Sequence, residues 1–272
     1  EEAEGMQLIT ECDGLRIVTH GRSELLQKVP DTIVNIFKIG STKPAALLYD
    51  ASELFEKKDT KSDEIMRSIS AEGTERLRSA IDQCAQAAAE EFDTSQQRSL
   101  LRASIYGKTY SHGYGGDQIY DISRTVRMLN ALRFYEVGIP LTYTQYKEQG
   151  TDSLLAHLIA RQLYQLAIRI CELLNLSCEH VAISWACAKV RLSPTQTDAN
   201  LFQTLAPQLL KVAPRAFATV ASVAFSMGRP RLSTMLLEHE KRATEQVPLL
   251  LAMHEDALAL EKAVLSLDAD LI

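Results

Sequence analysis

Long apolar stretches are missing from this sequence. No apolar run reaches the roughly 18 residues that a membrane-crossing helix needs. The start at Glu1 and Glu2 has neither the basic region nor the apolar stretch of a secretory signal. The five cysteines are odd in number and irregularly spaced, which favours free thiols in a reducing compartment over a disulfide scaffold. These absences predict a cytosolic protein or a part of a larger cytosolic protein.

Concentrated positive charge is missing as well. The formal net charge is −6, and the Lys and Arg residues are scattered along the chain. Nucleic acids and anionic lipid surfaces both bind clusters of basic residues, so we expect neither nucleic acid nor a membrane surface as a direct partner. Hydrophobic residues make up 46% and charged residues 24%. That composition is typical of globular proteins, and 272 residues suffice for one large domain or two smaller ones.

Strand signals are confined to the first 28 residues. Two β-prone runs, residues 6–10 and 15–19, flank Asp13 and Gly14, and an Asp-Gly pair between such runs predicts a β-hairpin. An isolated hairpin is only marginally stable. We therefore expect residues 1–29 to belong to a sheet that the rest of the chain does not supply.

Helical spacing of apolar residues dominates the rest of the chain. Pro44 and Pro230 are placed to open helices, and Gly228 is placed to close one. Residues 119–137 read as one helix, whereas residues 152–175 are long enough for two that are joined by a tight turn. Short amphipathic helices with short connections are thus predicted throughout.

This order of elements predicts an all-α fold. Each predicted helical hairpin must cover one apolar side against its neighbours, and stacked hairpins do so in an α-solenoid. We therefore expect residues 30–272 to form an α-solenoid of stacked helical hairpins, preceded by a short β-hairpin remnant at the N-terminus.

A nucleotide-dependent enzyme is one alternative. Gly107, Lys108 and Thr109 match the end of a phosphate-binding loop, in which backbone N–H groups surround a phosphate and the Lys neutralises its charge. Arg102 stands where the first glycine of that motif belongs, and the preceding residues have a helical pattern. The Gly-rich residues 113–116 lack the third glycine of a dinucleotide fingerprint, so a flexible connection is expected there.

A metal-dependent enzyme is the second alternative, with four candidate ligands: Cys171, Cys178, His180 and Cys187. Structural zinc sites usually place ligand pairs about two to four residues apart, whereas Cys171 and Cys187 fit the apolar stripes of two helices. The His-Glu pairs that begin at His239 and His254 lack the second histidine of a metalloprotease helix. We therefore expect buried free thiols, no cofactor and no enzymatic activity.

Short segments spread over nearly the whole chain share one further pattern. They are residues 13–17, 36–39, 44–48, 98–103, 126–135, 138–147, 163–171, 185–187 and 245–251, of which 138–147 is the most distinctive. Together these segments resemble the vacuolar protein sorting-associated protein 16 family. The resemblance implies a β-propeller followed by a long α-solenoid, so residues 1–29 would be terminal propeller strands and residues 30–272 much of the solenoid.

The same resemblance implies a role in membrane tethering. The family is a core subunit of the HOPS and CORVET complexes, which tether endosomes, lysosomes or vacuoles before SNARE-driven fusion. Its solenoid carries the SM-type subunit, vacuolar protein sorting-associated protein 33, which templates SNARE bundles. The expected partners are therefore the SM-type subunit and other subunits of these complexes, with SNAREs reached indirectly. The expected location is cytoplasmic and peripheral on late endosome, lysosome or vacuole membranes, through the complex only.

The resemblance places the docking surface for the SM-type subunit toward the C-terminal end of the solenoid, where residues 228–272 can contribute. The predicted partner-binding residues are Arg229, Leu232, Leu236, Arg242, Met253, His254 and Leu258. A helical-repeat scaffold of another trafficking complex remains as a further alternative.

Overall fold

The N-terminal strands form a small antiparallel sheet in the computed structural model, which describes residues 6–71 and 73–271. The strands are β1 (Gln7–Glu11), β2 (Gly14–Val18) and β3 (Ser23–Gln27), in the order β1-β2-β3. The predicted hairpin is confirmed. A third strand, which the sequence pattern did not predict, pairs with β2 from Val18 opposite Ser23 to Gly14 opposite Gln27.

Gly14 is required for the close approach of two strands. A Cβ atom at this position would lie 2.5 Å from the carbonyl oxygen of Leu26 on β3, well inside normal contact distance. Cys12 and Asp13 form the turn, and Gly14 is already the first residue of β2. The Asp-Gly pair therefore predicts the hairpin correctly, although its glycine makes room for a backbone and is not a turn residue.

The chain divides into two compact units, Glu1–Gly150 and Thr151–Ile272, which we call the N-terminal unit and the C-terminal unit. The α-helices described in the N-terminal unit are α1 (Asp31–Phe37), α2 (Pro44–Glu56), α3 (Lys61–Ala71), α4 (Thr74–Glu90), α5 (Thr94–Tyr110), α6 (Asp117–Arg133) and α7 (Tyr143–Gln149). Consecutive helices pack in pairs, α2 with α3 and α4 with α5. Pro44 opens α2 as predicted, and Asp93 caps α5 by accepting the N–H of Ser95 at 3.0 Å.

A polar joint attaches the sheet to α7. The helix begins with a capping box, in which the Thr142 hydroxyl accepts the N–H of Gln145 at 3.1 Å and the Gln145 side chain accepts the N–H of Thr142 at 3.2 Å. The Asp13 carboxylate accepts the Thr142 hydroxyl at 2.5 Å and the Gln145 side-chain amide at 2.7 Å. Arg16 adds a hydrogen bond to the carbonyl of Pro140 at 3.0 Å. The turn of the hairpin is thus fixed to the start of a helix far along the chain.

Small side chains let the helices of the N-terminal unit pack closely. Alanines fill much of the buried side of α4. Helix α5 approaches α4 and α2 at Gly107, where a Cβ atom would lie 2.8 Å from Cγ1 of Ile81 and 2.9 Å from Cδ2 of Leu48. Residue 107 therefore belongs to the helix packing of this unit.

The described helices of the C-terminal unit are shorter on average: α8 (Thr151–Ala160), α9 (Tyr164–Leu174), α10 (Glu179–Leu192), α11 (Asp198–Val212), α12 (Phe217–Ser226), α13 (Pro230–Leu237), α14 (Ala243–Ala252) and α15 (Asp256–Ser266), followed by a 3-10 turn at Ala269–Leu271. Two helices occupy residues 152–175, as predicted. Gly228, with a φ of 75°, ends the turn after α12, and Pro230 opens α13.

The core of the C-terminal unit combines large apolar side chains with alanines. Phe217 is fully buried among leucines, including Leu205, Leu209 and Leu232. Helix α12 packs on α13, and α14 packs on α15, each pair joined by a short turn. The predicted fold class, all-α with the helical hairpins of an α-solenoid, is confirmed.

Candidate partner-binding site

Two of the predicted partner-binding residues lie inside the core. Leu232 and Leu236 on α13 are both 0% exposed, and they belong to the same apolar cluster as Phe217 of α12. Neither side chain can touch a partner while this core is intact, so burial contradicts the prediction that they do. Their helical spacing identified the inward face of α13, because a core face and a docking face have the same apolar pattern.

Arg229 forms hydrogen bonds with the α10–α11 connection of the C-terminal unit. Its guanidinium donates to the carbonyl oxygens of Ser193 at 2.6 Å and Pro194 at 2.7 Å, and it pairs with Asp198 at 3.5 Å. These three residues belong to the connection between α10 and α11 and to the start of α11. The guanidinium is thus engaged with the protein itself, and it links the α12–α13 turn to that connection.

Arg242 belongs to a network around a buried carboxylate. Glu240 is 5% exposed, and its oxygens accept the N–H of Ala218 at 3.1 Å and that of Lys241 at 3.1 Å. Ala218 is in the first turn of α12, so the negative charge lies at the positive end of that helix. Arg242 pairs with Glu240 at 3.4 Å and donates to the carbonyl of Arg215 at 2.5 Å.

Glu240 was not among the residues predicted from the sequence. The signal that could have found it is an acidic residue in a short turn between two apolar helices, where a helix N-terminus needs an acceptor. Substitution of Arg242 by an acidic residue would place a second negative charge beside Glu240. The binding of a partner to such a variant would therefore depend on the stability of the unit as well as on contacts with Arg242.

The remaining predicted residues lie around the α14–α15 turn. Met253 is partly buried, and its sulfur accepts the hydroxyl of Ser233 at 3.3 Å. His254 is exposed with a φ of 61°, the left-handed conformation that reverses the chain. Leu258 lines a groove of about 360 Å³ between α13, α14 and α15. Arg242 and His254 are exposed, and Met253 and Leu258 are partly buried, so these four predicted residues are accessible to a partner.

Large apolar side chains are exposed on α15 and at Leu267, the residue that follows it. Leu260 is 59% exposed, Val264 51%, Leu265 67% and Leu267 90%, and we call these four residues the α15 surface. Leu260 and Val264 are four positions apart and share one side of α15. The inward side carries the small, buried Ala259 and Ala263. The usual amphipathic arrangement is thus partly reversed, and such exposed patches mark interaction surfaces in soluble proteins.

The nucleotide-site motif lies inside a helix. Gly107, Lys108 and Thr109 are all part of α5, where the hydroxyl of Thr109 donates to the carbonyl of Tyr106 at 2.7 Å. The ammonium of Lys108 donates to the carbonyl of Gly115 at 3.3 Å and lies over the ring of Tyr120, 5.3 Å from its centroid. Backbone N–H groups inside a helix are already paired and cannot surround a phosphate.

The Gly-rich loop after α5 is tied to α4. The hydroxyl of Tyr114 donates to the carboxylate of Asp82, and Arg78 donates to the carbonyl of His112 at 3.4 Å. Burial and the Asp82 carboxylate raise the pKa of Tyr114 above its ordinary value. Residues 113–116 thus form a connection that is held against the helical core.

The cysteines and histidines do not assemble into a metal centre. Within residues 6–71 and 73–271, no three His, Cys, Asp or Glu side chains are close enough together to hold a metal ion. Burial raises the pKa of Cys84 to about 12, and burial followed by the neighbouring Cys178 raises that of Cys171 to about 11. Cys187 shifts in the same direction because of burial. Burial thus favours the neutral form of these thiols.

The fold and the exposed surfaces of the described helices define the structural class of the chain. Helical hairpins pack around continuous apolar cores, and an apolar surface on the last described helix is left open. None of the helices that the structure describes is long and apolar enough to cross a membrane. The chain is therefore a helical-repeat protein of the α-solenoid class.

Comparisons with known proteins identify the family. The family model for the Vps16 N-terminal region matches residues 1–120, and the model for the Vps16 C-terminal region matches residues 216–272. Protein VACUOLELESS1 of Arabidopsis thaliana is 44% identical over 265 residues, which are 97% of this chain and 30% of that protein. The chain belongs to the Vps16 family.

Other relatives extend the match to distant eukaryotes. The vacuolar protein sorting-associated protein 16 homolog of Dictyostelium discoideum is 42% identical, over 98% of this chain and 31% of that protein. Vacuolar protein sorting-associated protein 16 of Saccharomyces cerevisiae is 30% identical, over 94% of this chain and 32% of that protein. The chain thus spans just under a third of the length of these curated relatives.

Proposed function

We propose that this chain is a non-enzymatic scaffold segment that acts in vacuolar protein sorting, within the HOPS and CORVET tethering complexes. The observation that carries the proposal is the α15 surface, an exposed apolar patch on a helical stack. Helical-repeat proteins bind partners through such extended surfaces and need no catalytic group to do so. The names of the relatives, which refer to vacuolar protein sorting, support the process.

The proposed partner on the α15 surface is the SM-type subunit, vacuolar protein sorting-associated protein 33. Burial of exposed leucines against a protein surface stabilises a complex, whereas charged side chains at the same positions would keep water in the interface. The α14–α15 turn with His254, and Leu258 in its groove, would border this contact. SNAREs would be reached through the SM-type subunit, and the membranes of late endosomes, lysosomes or vacuoles through the whole complex.

We also propose that β1, β2 and β3 are terminal strands of a β-propeller, with the solenoid beginning at residue 30. Adjacent residues of a strand point to opposite faces of the sheet. Leu8 is 57% exposed and Ile9 46% exposed on β1, so both faces carry uncovered apolar side chains. In a complete propeller, neighbouring blades would pack against these side chains, which would account for their exposure in the isolated sheet.

Co-purification with the SM-type subunit tests the docking proposal. The double variant Leu260→Asp with Val264→Asp is expected to weaken binding roughly tenfold or more, because two apolar contacts are lost and two charges would be buried. The matched control is Leu192→Asp with Leu210→Asp, which changes leucines that are 64% and 48% exposed elsewhere in the C-terminal unit. Binding is measured by titration, and thermal melting confirms that both variants fold.

Two results would contradict the proposal. Equal binding by the two double variants would remove the α15 surface from the interface. No binding by the unchanged chain, with melting intact, would favour a helical scaffold of another trafficking complex.

A further inference from the structure

Helices α5 and α6 lie side by side and run in opposite directions. At one end, the side-chain amide of Asn130 in the last turn of α6 donates to the side chain of Gln97 in the first turn of α5, at 2.7 Å. At the other end, the ammonium of Lys108 in the last turn of α5 lies 5.3 Å from the ring centroid of Tyr120 in the first turn of α6. These two contacts define a seam between the helices.

Basic side chains repeat along the exposed side of α5. Arg98 follows Gln97 of the seam directly, and Arg102 lies one turn further along on the same side. Both arginines are exposed, and Ile105 continues this side at 54% exposure. Arg102 pairs with Glu56 of α2 at 2.8 Å. Helix α5 itself holds three basic residues and no Asp or Glu, so its exposed side is positively charged.

Helix α6 presents a similar side across the seam. Tyr120, Arg124 and Arg127 are spaced by four and three positions, so they lie on one side of the helix. Tyr120 is 62% exposed, Arg127 is exposed and Arg124 is partly buried. Arg127 lies one turn before Asn130 and thus close to the end of the seam that Arg98 borders. The residues of these two sides, which we call the α5–α6 surface, are Arg98, Arg102, Ile105, Tyr120, Arg124 and Arg127.

Three arginines of this surface lack a charged partner in the part of the chain that the structure describes. Arg98, Arg124 and Arg127 form no ion pair there. The acidic residues of α6, Asp117 and Asp121, both lie in the N-terminal half of the helix, where negative charge suits the helix dipole. The folded helices thus bring together basic residues that are scattered along the sequence, in a protein with a formal net charge of −6.

The opposite directions of the two helices give this surface a basic end and an apolar end. Arg98 and Arg127 lie at the end where α5 begins and α6 finishes. Ile105 and Tyr120 lie toward the other end, and both are more than half exposed. A matching ligand therefore needs carboxylates beside a large apolar group.

We propose that the α5–α6 surface binds an acidic segment of a partner protein, in which Asp or Glu residues lie next to a large apolar residue. Guanidinium groups form paired hydrogen bonds with carboxylates, and Ile105 and Tyr120 supply the apolar contacts. The net negative charge of the protein repels a long polyanion or an anionic membrane, whereas a short acidic segment meets mainly the local arginines. The proposal is independent of the α15 surface, which belongs to the other unit.

Selection of random peptides displayed on phage, with the purified chain as bait, supplies the probe. We expect enrichment of peptides in which several Asp or Glu residues lie next to a large apolar residue. Each enriched peptide is then synthesised in its original form and in a form with Asn and Gln in place of Asp and Glu. The second form keeps the size of the side chains but removes their charge, so it should bind roughly tenfold more weakly.

A double variant of the chain, Arg98→Glu with Arg127→Glu, locates the binding site. Neither arginine has an ion pair within the described residues to lose, so the fold should be retained, and thermal melting checks this. The affinity for the acidic peptides is expected to fall roughly tenfold or more. The matched control is Arg22→Glu with Arg67→Glu, which changes the net charge equally at exposed arginines elsewhere in the N-terminal unit. The control should bind as the unchanged chain does.

Three outcomes would overturn the proposal: enriched peptides without acidic residues, equal binding of the two peptide forms, or equal binding by the two double variants. Vesicles of phosphatidylcholine with phosphatidylserine, and poly(U) RNA, are tested in parallel. If the chain binds either of these through Arg98 and Arg127 but binds no acidic peptide, the surface recognises a membrane or RNA, and an acidic protein segment is the wrong partner.

Discussion

The N-terminal unit and the C-terminal unit are both stacks of helices, but their polar contacts connect very different distances along the chain. In the N-terminal unit the carboxylate of Asp13 meets Thr142, 129 positions away. In the C-terminal unit the buried carboxylate of Glu240 meets the N–H of Ala218, only 22 positions away. The first contact attaches a sheet to a distant helix, and the second stays within one helical hairpin and its turn.

This difference illustrates two ways in which polar contacts stabilise a helical stack. Contacts within a hairpin keep each repeat close to self-sufficient, as in other repeat proteins. A contact across more than a hundred residues requires the intervening helices to be in place, and its formation pays a larger loop-closure entropy. The C-terminal unit should therefore depend most on single local groups, and the sheet of the N-terminal unit on the distant joint.

Glu240→Ala should have the largest effect on stability. The substitution leaves the first turn of α12 without its acceptor and Arg242 without its buried partner. We expect the free energy of unfolding to fall by about 3 kcal/mol. The single tryptophan, Trp185, lies in the C-terminal unit, so its fluorescence during urea unfolding reports on this unit.

Glu245→Ala is the matched control for Glu240→Ala. Glu245 is 49% exposed at its side chain and contacts the same Arg242 at 3.3 Å, so its loss should change stability by less than about 0.5 kcal/mol. Similar unfolding midpoints for the two variants would show that Glu240 has no special role in the hairpin.

Gly107→Val should have an intermediate effect, in the N-terminal unit. The added side chain would collide with Ile81 and Leu48, which are both fully buried. Overpacking of this kind costs about 2 kcal/mol. Hydrogen exchange of peptides from α4 and α5, followed by mass spectrometry, should show faster exchange. Gly21→Ala is the control, because a Cβ atom there meets nothing within 4 Å. Unchanged exchange in α4 and α5 would contradict the close packing at residue 107.

The helices were largely predictable, because their signals are local. Pro44, Gly228 and Pro230 mark helix ends through backbone geometry that each residue carries with it. The end of α6 was less predictable. The apolar pattern continued to residue 137, but the helix ends at Arg133, and a turn follows in which the N–H of Gly138 donates to Phe134 at 2.8 Å. Apolar spacing does not distinguish the last helical turn from a turn packed beside it.

Which residues of the candidate site are exposed could not be predicted from the sequence. Apolar spacing on α13 could not show that neighbouring helices cover Leu232 and Leu236, because coverage depends on which hairpins are adjacent. Strand β3 was not predicted, because its sequence, SELLQ, has no clear alternation of apolar and polar residues. The Asp13 joint lay outside any local pattern, although Thr142 and Gln145 have the spacing of a capping box.

Thr142→Ala should have the smallest effect on stability, but this effect should appear in strands that are far along the chain from residue 142. The variant removes the cap of α7 and one hydrogen bond to Asp13, which should cost about 1 kcal/mol. Because the joint holds the hairpin turn, amide exchange should accelerate in β1 and β2, more than 120 positions from the substitution. Gln149→Ala at the exposed end of α7 is the control and should leave the strands unchanged. If exchange accelerates only near residue 142 and the strands stay protected, the sheet is held by its other contacts, and the contrast between distant and local joints fails.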